Sequence, residues 1–481
     1  MYRKRHREQM TVEDFIPPFG GKLNAMNRWV VMAQIVPWDM VEDIYAENFK
    51  DENADGRPPI SARMAFGALY IKEHENFPQE RTMQHIAENV YMQYFLGLTE
   101  FNPKPLFDSR MLSYFATRFT KEGIAKINEE IYRRMHQPKD DPPSNGDDNG
   151  GGNGNGPEPK EDGDNQKNKG KLILDATVAP ADIRYPTDLS LLNECREGTE
   201  KIIDDVWGKT ERKGHKTGYN RMKARKGFLH IAKQRKPRKK RVRQAVREQL
   251  EYVEKNVAAL ERILSKLGLE SFGFANWGRL LIISEVAKQQ REHYESPREP
   301  IPNRIVSVRQ PHVRPIVRGK AGCEVEFGQK MSLSVVDGYT FIENQSWDNF
   351  AEGITLVASV EKYRERHGVY PEAILADKTY RNRENIKFCK EHGIRLSGPR
   401  LGRPKASEIE ADKEQSYKDS CERNIVEGRI GISKQRYGLD RLYARLKPTG
   451  EVEAAMNVLC MNVAHRLRAL MLPLVKRLRT A

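Results

Sequence analysis

Closely spaced cysteines are missing from this sequence. Five cysteines are spread over 481 residues, and no two of them form a Cys-x-x-Cys pair. This spacing argues against a disulfide framework and against a zinc ribbon, so we expect reduced thiols in a cytosolic protein. Cys389 and His392 have Cys-x-x-His spacing, but no second ligand pair lies nearby. A helix surface is therefore the preferred interpretation of this pair over a metal site.

Long apolar runs are missing as well. No stretch reaches the ~18 apolar residues that a membrane span requires, and no apolar segment follows the charged start MYRKRHREQM. We therefore expect no membrane partner and a cytoplasmic location. Hydrophobic residues make up only 38% of the sequence, which is low for one compact core. The length allows two to four domains, with part of the chain in linkers or solvated surface.

Acidic residues do not balance the basic ones, and the imbalance is local. The net charge is +15, and residues 209–248 alone hold 17 Lys and Arg against two Glu. Such a block binds phosphates and releases counterions, which predicts salt-dependent contact with nucleic acid. Tyr219, Phe228 and His230 are interleaved with the charges and could stack on bases. A merely solvated basic segment is the alternative. The candidate phosphate contacts are Arg238, Lys239, Lys240 and Arg241.

The first 136 residues have a helical pattern, with four amphipathic segments, the first interrupted at Pro37. Their aromatic residues are expected in a core, and a helix-turn-helix that contacts DNA is one use of such a bundle. Residues 137–170 are rich in Gly, Asn, Asp and Pro and predict a disordered linker between domains. The aromatic residues assigned to the core are Trp29, Trp38, Tyr70, Tyr91, Tyr94 and Phe95.

Residues 171–481 are predicted to form an α/β catalytic domain that is interrupted after its first strand. The strand KLILD ends at Asp175, and a basic, mostly helical insertion follows at about 180–315. Apolar residues from Leu250 to Leu267 recur at steps of three and four, which is a short heptad seam. An intramolecular helical hairpin and a coiled-coil dimer both explain the seam, and the hairpin is favoured.

Alternating residues then predict a β-hairpin, EVEFGQKMSLSVV and YTFIENQSW, joined by Asp337 and Gly338. Asp337 is a candidate fourth carboxylate ligand, although Asp-Gly between strands is primarily a turn sequence. A helix, the strand AILAD, a second helix, the short strand IRLSG and a final helix follow. Strands paired with crossover helices predict a mixed sheet flanked by helices.

Three acidic residues lie at the ends of these predicted strands or on the final predicted helix. Asp175 ends the first strand, Asp377 ends the strand AILAD, and Glu427 lies on the final helix. Carboxylates gathered at one sheet edge suit Mg²⁺, which prefers oxygen ligands. Two such ions can activate an attacking oxygen and stabilise a leaving oxygen in phosphodiester chemistry. The sequence therefore predicts metal-dependent chemistry on nucleic acid.

Several strings resemble bacterial insertion-sequence transposases of family five, which belong to the Asp-Asp-Glu superfamily. They occur in the family's order, surround all three acids and cover most of the chain apart from the linker and the exact length of the basic insertion. These strings are GRPPISARMAFGALYIKE, ENVYMQYFLGL, LDATVAPADIRYPTDLSLLNE, QPHVRPIVRGKAG, ADKTYRNRENIKFCKEHGIRLSGPRLGRP and RNIVEGRIGISKQRYGLDRL.

The last string also resembles the signature Tyr-x₂-Arg-x₃-Glu-x₆-Lys of the wider family. Arg423, Glu427 and Lys434 have the signature spacing, whereas Ser420 occupies the tyrosine position. On a helix, these three charged residues share one face, so both cations could contact phosphates beside the carboxylate. A surface salt-bridge ladder is the alternative interpretation.

The resemblance implies a ribonuclease-H-like catalytic domain in which Asp175, Asp377 and Glu427 hold two Mg²⁺ ions, for which Mn²⁺ can substitute. It implies cleavage at the element's terminal inverted repeats and transfer of the 3′ ends into target DNA by a homodimer. The alternatives are a nuclease of the same fold without strand transfer and an inactive DNA-binding descendant.

Overall fold

A computed structural model gives the mixed α/β structure of the protein and describes residues 11–18, 21–48, 59–136, 167–207, 220–268, 272–320, 323–398 and 409–480. The predicted linker falls outside these ranges from residue 137 to residue 166, and the basic block falls outside them from residue 209 to residue 219. No helix in the described ranges is both long and apolar enough to cross a membrane.

Seven α-helices precede the sheet within the described residues, where the sequence predicted four segments. Pro37 separates the first two helices, as expected. The third segment forms two helices because the Asn89 side chain accepts hydrogen bonds from the Tyr91 and Met92 amides and starts a new helix. The fourth segment also divides, at Phe119 and Thr120. The helices are α1 (Arg28–Ile35), α2 (Trp38–Glu47), α3 (Ala62–Glu75), α4 (Gln79–Glu88), α5 (Val90–Phe95), α6 (Met111–Arg118) and α7 (Lys121–His136).

Six strands form one mixed sheet: β1 (Lys171–Pro180), β2 (Arg314–Lys320), β3 (Cys323–Val336), β4 (Tyr339–Ser346), β5 (Ala373–Leu375) and β6 (Arg395–Leu396). The long strand β3 pairs antiparallel with β1, with β4 through its second half and with β2 through its first half. Strands β5 and β6 continue the sheet in parallel on the other side of β1. Strand β2 was not predicted, so Asp377 follows the fifth strand of the chain and not the fourth.

The predicted end of β1 at Asp175 is wrong. The strand continues to Pro180 because β3 pairs with it from Ile173 to Pro180. The predicted turn between β3 and β4 is confirmed, since Asp337 and Gly338 have φ values of 50° and 80°. Asp337 accepts a hydrogen bond from the Tyr132 hydroxyl at 2.9 Å.

The described part of the chain between β1 and β2 contains four α-helices: α8 (Asp188–Trp207), α9 (Arg221–Ala232), α10 (Lys239–Leu267) and α11 (Phe274–Glu295). Leu250, Val253 and Leu260 of the apolar seam of α10 are buried within the chain, as the hairpin interpretation predicted. Leu250 and Val253 pack with Leu192 of α8 and Ile283 of α11. Leu260 packs with Ile202 of α8 further along. The seam therefore serves a helical bundle that also includes α8, which the sequence pattern did not reveal.

After β4, the ranges that the structure describes contain four more α-helices: α12 (Leu356–His367), α13 (Arg383–Glu391), α14 (Ile409–Arg436) and α15 (Lys447–Thr480). The predicted helix-surface position of Cys389 is wrong, because its side chain is buried in the core beside the sheet. His392 is half-buried at the end of α13, where its ring contacts the Phe388 carbonyl oxygen. Helix α15 was not predicted.

The largest core joins the first helices to α15. Trp29, Phe66 and Phe95 are fully buried in the same cluster as Met456 and Leu459 of α15. The predicted core aromatics are confirmed: four are buried, and Trp38 and Tyr91 are half-buried against the same cluster. The helices before the sheet therefore complete their core with a helix that follows it.

Candidate active site

Strand register places the first two acids side by side. Ile173 of β1 pairs in parallel with Leu375 of β5. Asp175 and Asp377 each lie two residues further along, so the two carboxylates start from the same level of neighbouring chain segments. Strand β5 ends at Leu375, so β1 has no β5 partner at the level of Asp175. Neighbouring strands are about 4.8 Å apart, so the two acids are close.

Helix α14 brings the third acid to this edge. Val426 is fully buried against Ile173, Val335 and Leu375, and this contact fixes α14 across the three strands β1, β3 and β5. Glu427 is the next residue, and its side chain is 54% exposed. The apolar contact of Val426 therefore positions the carboxylate beside it.

Arg423 connects two of the acids. One terminal nitrogen of its guanidinium, Nη1, lies 3.3 Å from Asp377 Oδ1. The other, Nη2, donates to Glu427 Oε1 at 3.3 Å. Asp377 Oδ1 also accepts the backbone N–H of Lys378 at 2.7 Å, which starts the short 3-10 helix Lys378–Tyr380. One cation thus bridges the acids that come from the sheet and from the helix.

The charges of Arg423 and Glu427 also act on the carboxyl group of Asp175. Burial raises the pKa of its carboxyl group above the ordinary value, and the charges of Glu352 and Glu427 raise it further. The Ala176 N–H, which donates to Asp175 Oδ1 at 2.8 Å, and the positive charge of Arg423 act in the opposite direction on this pKa. Since Glu427 and Arg423 both influence Asp175, the structure brings all three predicted acids to one edge.

The donor chemistry at this edge fits hard divalent cations, because three carboxylates supply oxygen ligands and waters can complete the coordination. Within the described ranges, however, no three His, Cys, Asp or Glu side chains stand close enough together to hold a metal ion as placed. The Arg423 guanidinium occupies the space between two of the carboxylates. In this arrangement Arg423, and not a metal ion, neutralises Asp377 and Glu427.

The remaining signature residues share α14. Lys434 is half-buried two turns after Glu427, and Ser420 is exposed where the signature has tyrosine. The four basic residues of the insertion that are candidate phosphate contacts do not lie on α14. Arg238 caps α10 and the other three begin it, all of them exposed on the inserted helices and not on the sheet. The structure therefore separates the predicted cations into one group beside the acids and one group on the insertion.

Sequence reasoning missed Glu352, which lies in a 3-10 helix (Glu352–Thr355) that precedes α12. Lys330 Nζ lies 3.2 Å from Glu352 Oε1, and the Thr379 hydroxyl donates to Oε2 at 3.4 Å. The adjacent Gly353 packs so closely that an added Cβ would lie 2.9 Å from the Thr379 carbonyl oxygen. In the sequence, only the pair Glu352 and Gly353 within a predicted helix indicated that the backbone comes close to another segment here.

Two family models match the chain. A family described as transposase DDE domain matches residues 374–464, which include Asp377, Glu427 and the first half of α15. A second family, described as a transposase domain, matches residues 18–118, which hold α1 to α6. Searches of curated proteins and of solved structures gave no match.

Both matched regions are thus transposase domains, one before the sheet and one that contains two of the three acids. These two matches support an insertion-sequence transposase of the Asp-Asp-Glu class.

Proposed function

We propose that this transposase cleaves DNA at the ends of its element and joins the freed 3′ ends to target DNA, using Asp175, Asp377 and Glu427. The observation that carries the proposal is the common level of Asp175 and Asp377, with Glu427 held beside them by the buried Val426. The mixed sheet, with Asp175 on β1, Asp377 just after the adjacent strand β5 and Glu427 on a crossing helix, supports a ribonuclease-H-like domain. The sequence strings given above support a transposase of insertion-sequence family five.

The three carboxylates would hold two Mg²⁺ ions, or Mn²⁺ in their place. When bound, the two ions activate the attacking oxygen and stabilise the leaving oxygen of the phosphodiester. Once Arg423 has released Asp377 and Glu427, its guanidinium is free to bind a phosphate oxygen in a bidentate manner. Lys434, two turns further on, places a second positive charge along the same DNA backbone.

Other parts of the chain would hold the DNA on either side. Arg238, Lys239, Lys240 and Arg241 are exposed together and can contact consecutive phosphates of flanking or target duplex. Helices α1 to α6 would supply preference for the terminal inverted repeats. Two copies of the chain would act on the two ends of an element, on chromosomal DNA in the bacterial cytoplasm.

A joining assay tests this proposal. The purified full chain is mixed with Mg²⁺, supercoiled plasmid and a labelled duplex that represents a pre-cleaved element end. We expect the label to become covalently linked to the plasmid. The Asp175→Asn variant should bind the end normally and join nothing, whereas the exposed control Asp440→Asn should behave as the parent does.

Plasmid cutting without transfer of label would instead show a nuclease of this fold. Binding without any Mg²⁺-stimulated cutting would show an inactive DNA-binding descendant.

A further inference from the structure

Helix α14 lies on the sheet along one face, which its buried residues define. Val426 and Ser433, seven residues apart, are both fully buried. Successive residues of an α-helix are about 100° apart around its axis, so these two share one side and Glu427 lies on a flank beside it. By the same geometry, Arg429 and Arg436 lie about 160° and 180° from Glu427. The helix therefore carries the acid on one flank and these two arginines on the other.

The side of α14 that faces away from the sheet is open. Four residues, which we define as the crest of α14, lie there between the two flanks: Asn424, Gly428, Gly431 and Gln435. A Cβ added at Gly428 or at Gly431 would meet no packed neighbour within 4 Å. Packing within the described chain therefore does not require glycine at either position.

The two crest glycines lower the stability of the helix. Apart from proline, glycine is the least favourable residue in a helix interior, because it loses the most backbone freedom on folding. Gly428 and Gly431 are three residues apart, so they expose the main chain of α14 over about 4.5 Å of its length. An extended polymer can approach the helix more closely here than where a side chain projects.

Positive charge on the second flank is not balanced by acids. Arg468 of α15 lies close to Arg429 and Arg436, because burial raises the pKa of the Tyr437 hydroxyl and the charges of all three arginines oppose this rise. Burial and the charge of Arg468 lower the pKa of Arg429, whose Nη2 contacts His465 Nδ1 at 2.8 Å. In the part of the chain that the structure describes, no carboxylate pairs with any of the three arginines. Like charges gathered in this way favour a bound polyanion.

The spacing of the two flanks along α14 suits a DNA strand. Glu427 and Arg436 are nine residues apart, which is about 14 Å along the helix axis. Consecutive nucleotides of one strand are about 3.4 Å apart along a duplex, so roughly four of them span this distance. A backbone that passes over the crest can therefore contact the arginines and still reach the acids.

We propose that the sugar-phosphate backbone of the element end crosses the crest of α14 at Gly428 and Gly431, with phosphates bound by the arginines on one flank and the cleavage site at Glu427 on the other. The inference rests on the proposed function, because it takes the polymer to be DNA and Glu427 to belong to the active site. It adds a binding surface on the side of α14 away from Arg423 and Lys434.

Side chains added to the crest test the inference. Gly428→Gln and Gly431→Gln should each raise the midpoint of denaturation, because glutamine is the better helix former and meets no packed neighbour. Each should also weaken binding of a labelled duplex that represents an element end, about tenfold, because the side chain occupies the path of the backbone. Random-sequence duplex should lose as much affinity, since backbone contacts carry no sequence information. Binding is measured without divalent metal, so that no cleavage occurs.

Gly278→Gln on α11 is the matched control, because a Cβ added there also meets no packed neighbour. It should raise the midpoint of denaturation and leave DNA binding unchanged. Parental affinity in both crest variants, or an equal loss of affinity in the control, would overturn the inference alone. Failure of the parent chain to bind or cut an element end would overturn the proposed function as well.

Removing charge tests the second flank. Arg436→Gln combined with Arg468→Gln, both at exposed positions, should lower the slope of log affinity against log salt by about 1.8, or about 0.9 for each lost phosphate contact. Arg436→Lys combined with Arg468→Lys keeps the charge and should keep the slope.

The control for charge is Arg298→Gln combined with Arg364→Gln, at exposed positions on other parts of the chain, and it should leave the slope unchanged. A parental slope in the variant that lacks Arg436 and Arg468 would show that the backbone does not pass these arginines, and the inference would fall.

Discussion

Asp175 and Asp377 stand at the same level of the sheet because Ile173 and Leu375, two residues before them, are paired in parallel. The separation of these acids in sequence is therefore irrelevant to their separation in space. The positions of the third acid and of the bridging cation can still change, because Glu427 and Arg423 lie on helix α14 and not on the sheet. The substitutions below test this division.

Replacing Arg423 with Gln should strengthen binding of divalent ions and slow DNA cleavage. The guanidinium competes with a metal ion for Asp377 and Glu427, so its removal should tighten Mg²⁺ binding about fivefold, or ~1 kcal/mol. Calorimetric titration with Mg²⁺ and a cleavage assay measure the two effects. Lys418→Gln on the same helix, where Lys418 pairs with Glu414, is the matched control and should change neither. Weaker metal binding by the Arg423 variant would contradict the competition.

Replacing Glu352 with Gln should weaken metal binding. Its negative charge acts on Asp175, and the approach of a cation to Asp175 benefits from the same charge. We expect about fivefold weaker Mg²⁺ binding, of the order of 1 kcal/mol. The exposed acid Glu384 on α13 provides the control variant Glu384→Gln. If both variants bound Mg²⁺ as the parent does, Glu352 would have no part in the acidic edge.

His74 should make the protein sensitive to acid. Burial, with smaller effects of Arg28 and Arg436, lowers the pKa of His74 from 6.5 to about 3. Between these two values the unfolded chain binds more protons than the folded chain, so the free energy of unfolding falls as the pH falls below about 6.5. The slope from one such group is at most ~1.4 kcal/mol per pH unit.

His74→Phe, which keeps a ring among Trp29 and Tyr70, should flatten this dependence between pH 6.5 and pH 4 in denaturant titrations. A variant with the same slope as the wild type would mean that other groups cause the acid sensitivity.

Leu459→Ala on α15 should destabilise the helices that precede the sheet. The side chain is fully buried in the core that contains Trp29 and Phe66. Such a change costs about 2–5 kcal/mol through lost burial and the cavity that remains. Fluorescence of the tryptophans during denaturation reports the loss. Leu446→Ala, at a residue that is 61% exposed, should cost about 0.5 kcal/mol or less. Equal effects of the two substitutions would argue against the shared core.

Replacing Arg238, Lys239, Lys240 and Arg241 with Gln should make DNA binding less sensitive to salt. Each phosphate contact contributes about 0.9 to the slope of log affinity against log salt, so the slope should fall by up to about 3.6. Gel-shift titrations between low and physiological salt measure it. Lys387→Gln with Lys390→Gln on α13 should leave the slope unchanged. An unaltered slope in the fourfold variant would move the DNA contacts away from the insertion.

The sequence predicted the elements that carry the three acids, because each acid follows or lies within a strongly patterned element, whereas the catalytic role of the acids stays a prediction. An apolar run predicted the AILAD strand, and the signature spacing predicted the helix that carries Glu427. The extent of β1 beyond Asp175 was not visible, because it depends on β3 being longer than β5. Strand length here is a property of the partners and not of the segment itself.

Glu352 illustrates a second limit. Its place beside Asp175 follows from the contact between Gly353 and the Thr379 backbone, which joins two loops that are far apart in sequence. Helix α15 illustrates a third limit, because its apolar residues pack against helices that precede the sheet in the sequence. Local patterns predict that such a face must be covered, but they do not name the elements that cover it.

Because α15 fills the core of α1 to α6, the order of synthesis and the order of folding differ in this protein. The helices that leave the ribosome early lack the surface against which Trp29 and Phe66 are buried until α15 has been made. A nascent chain would therefore acquire its complete amino-terminal structure only near the end of translation.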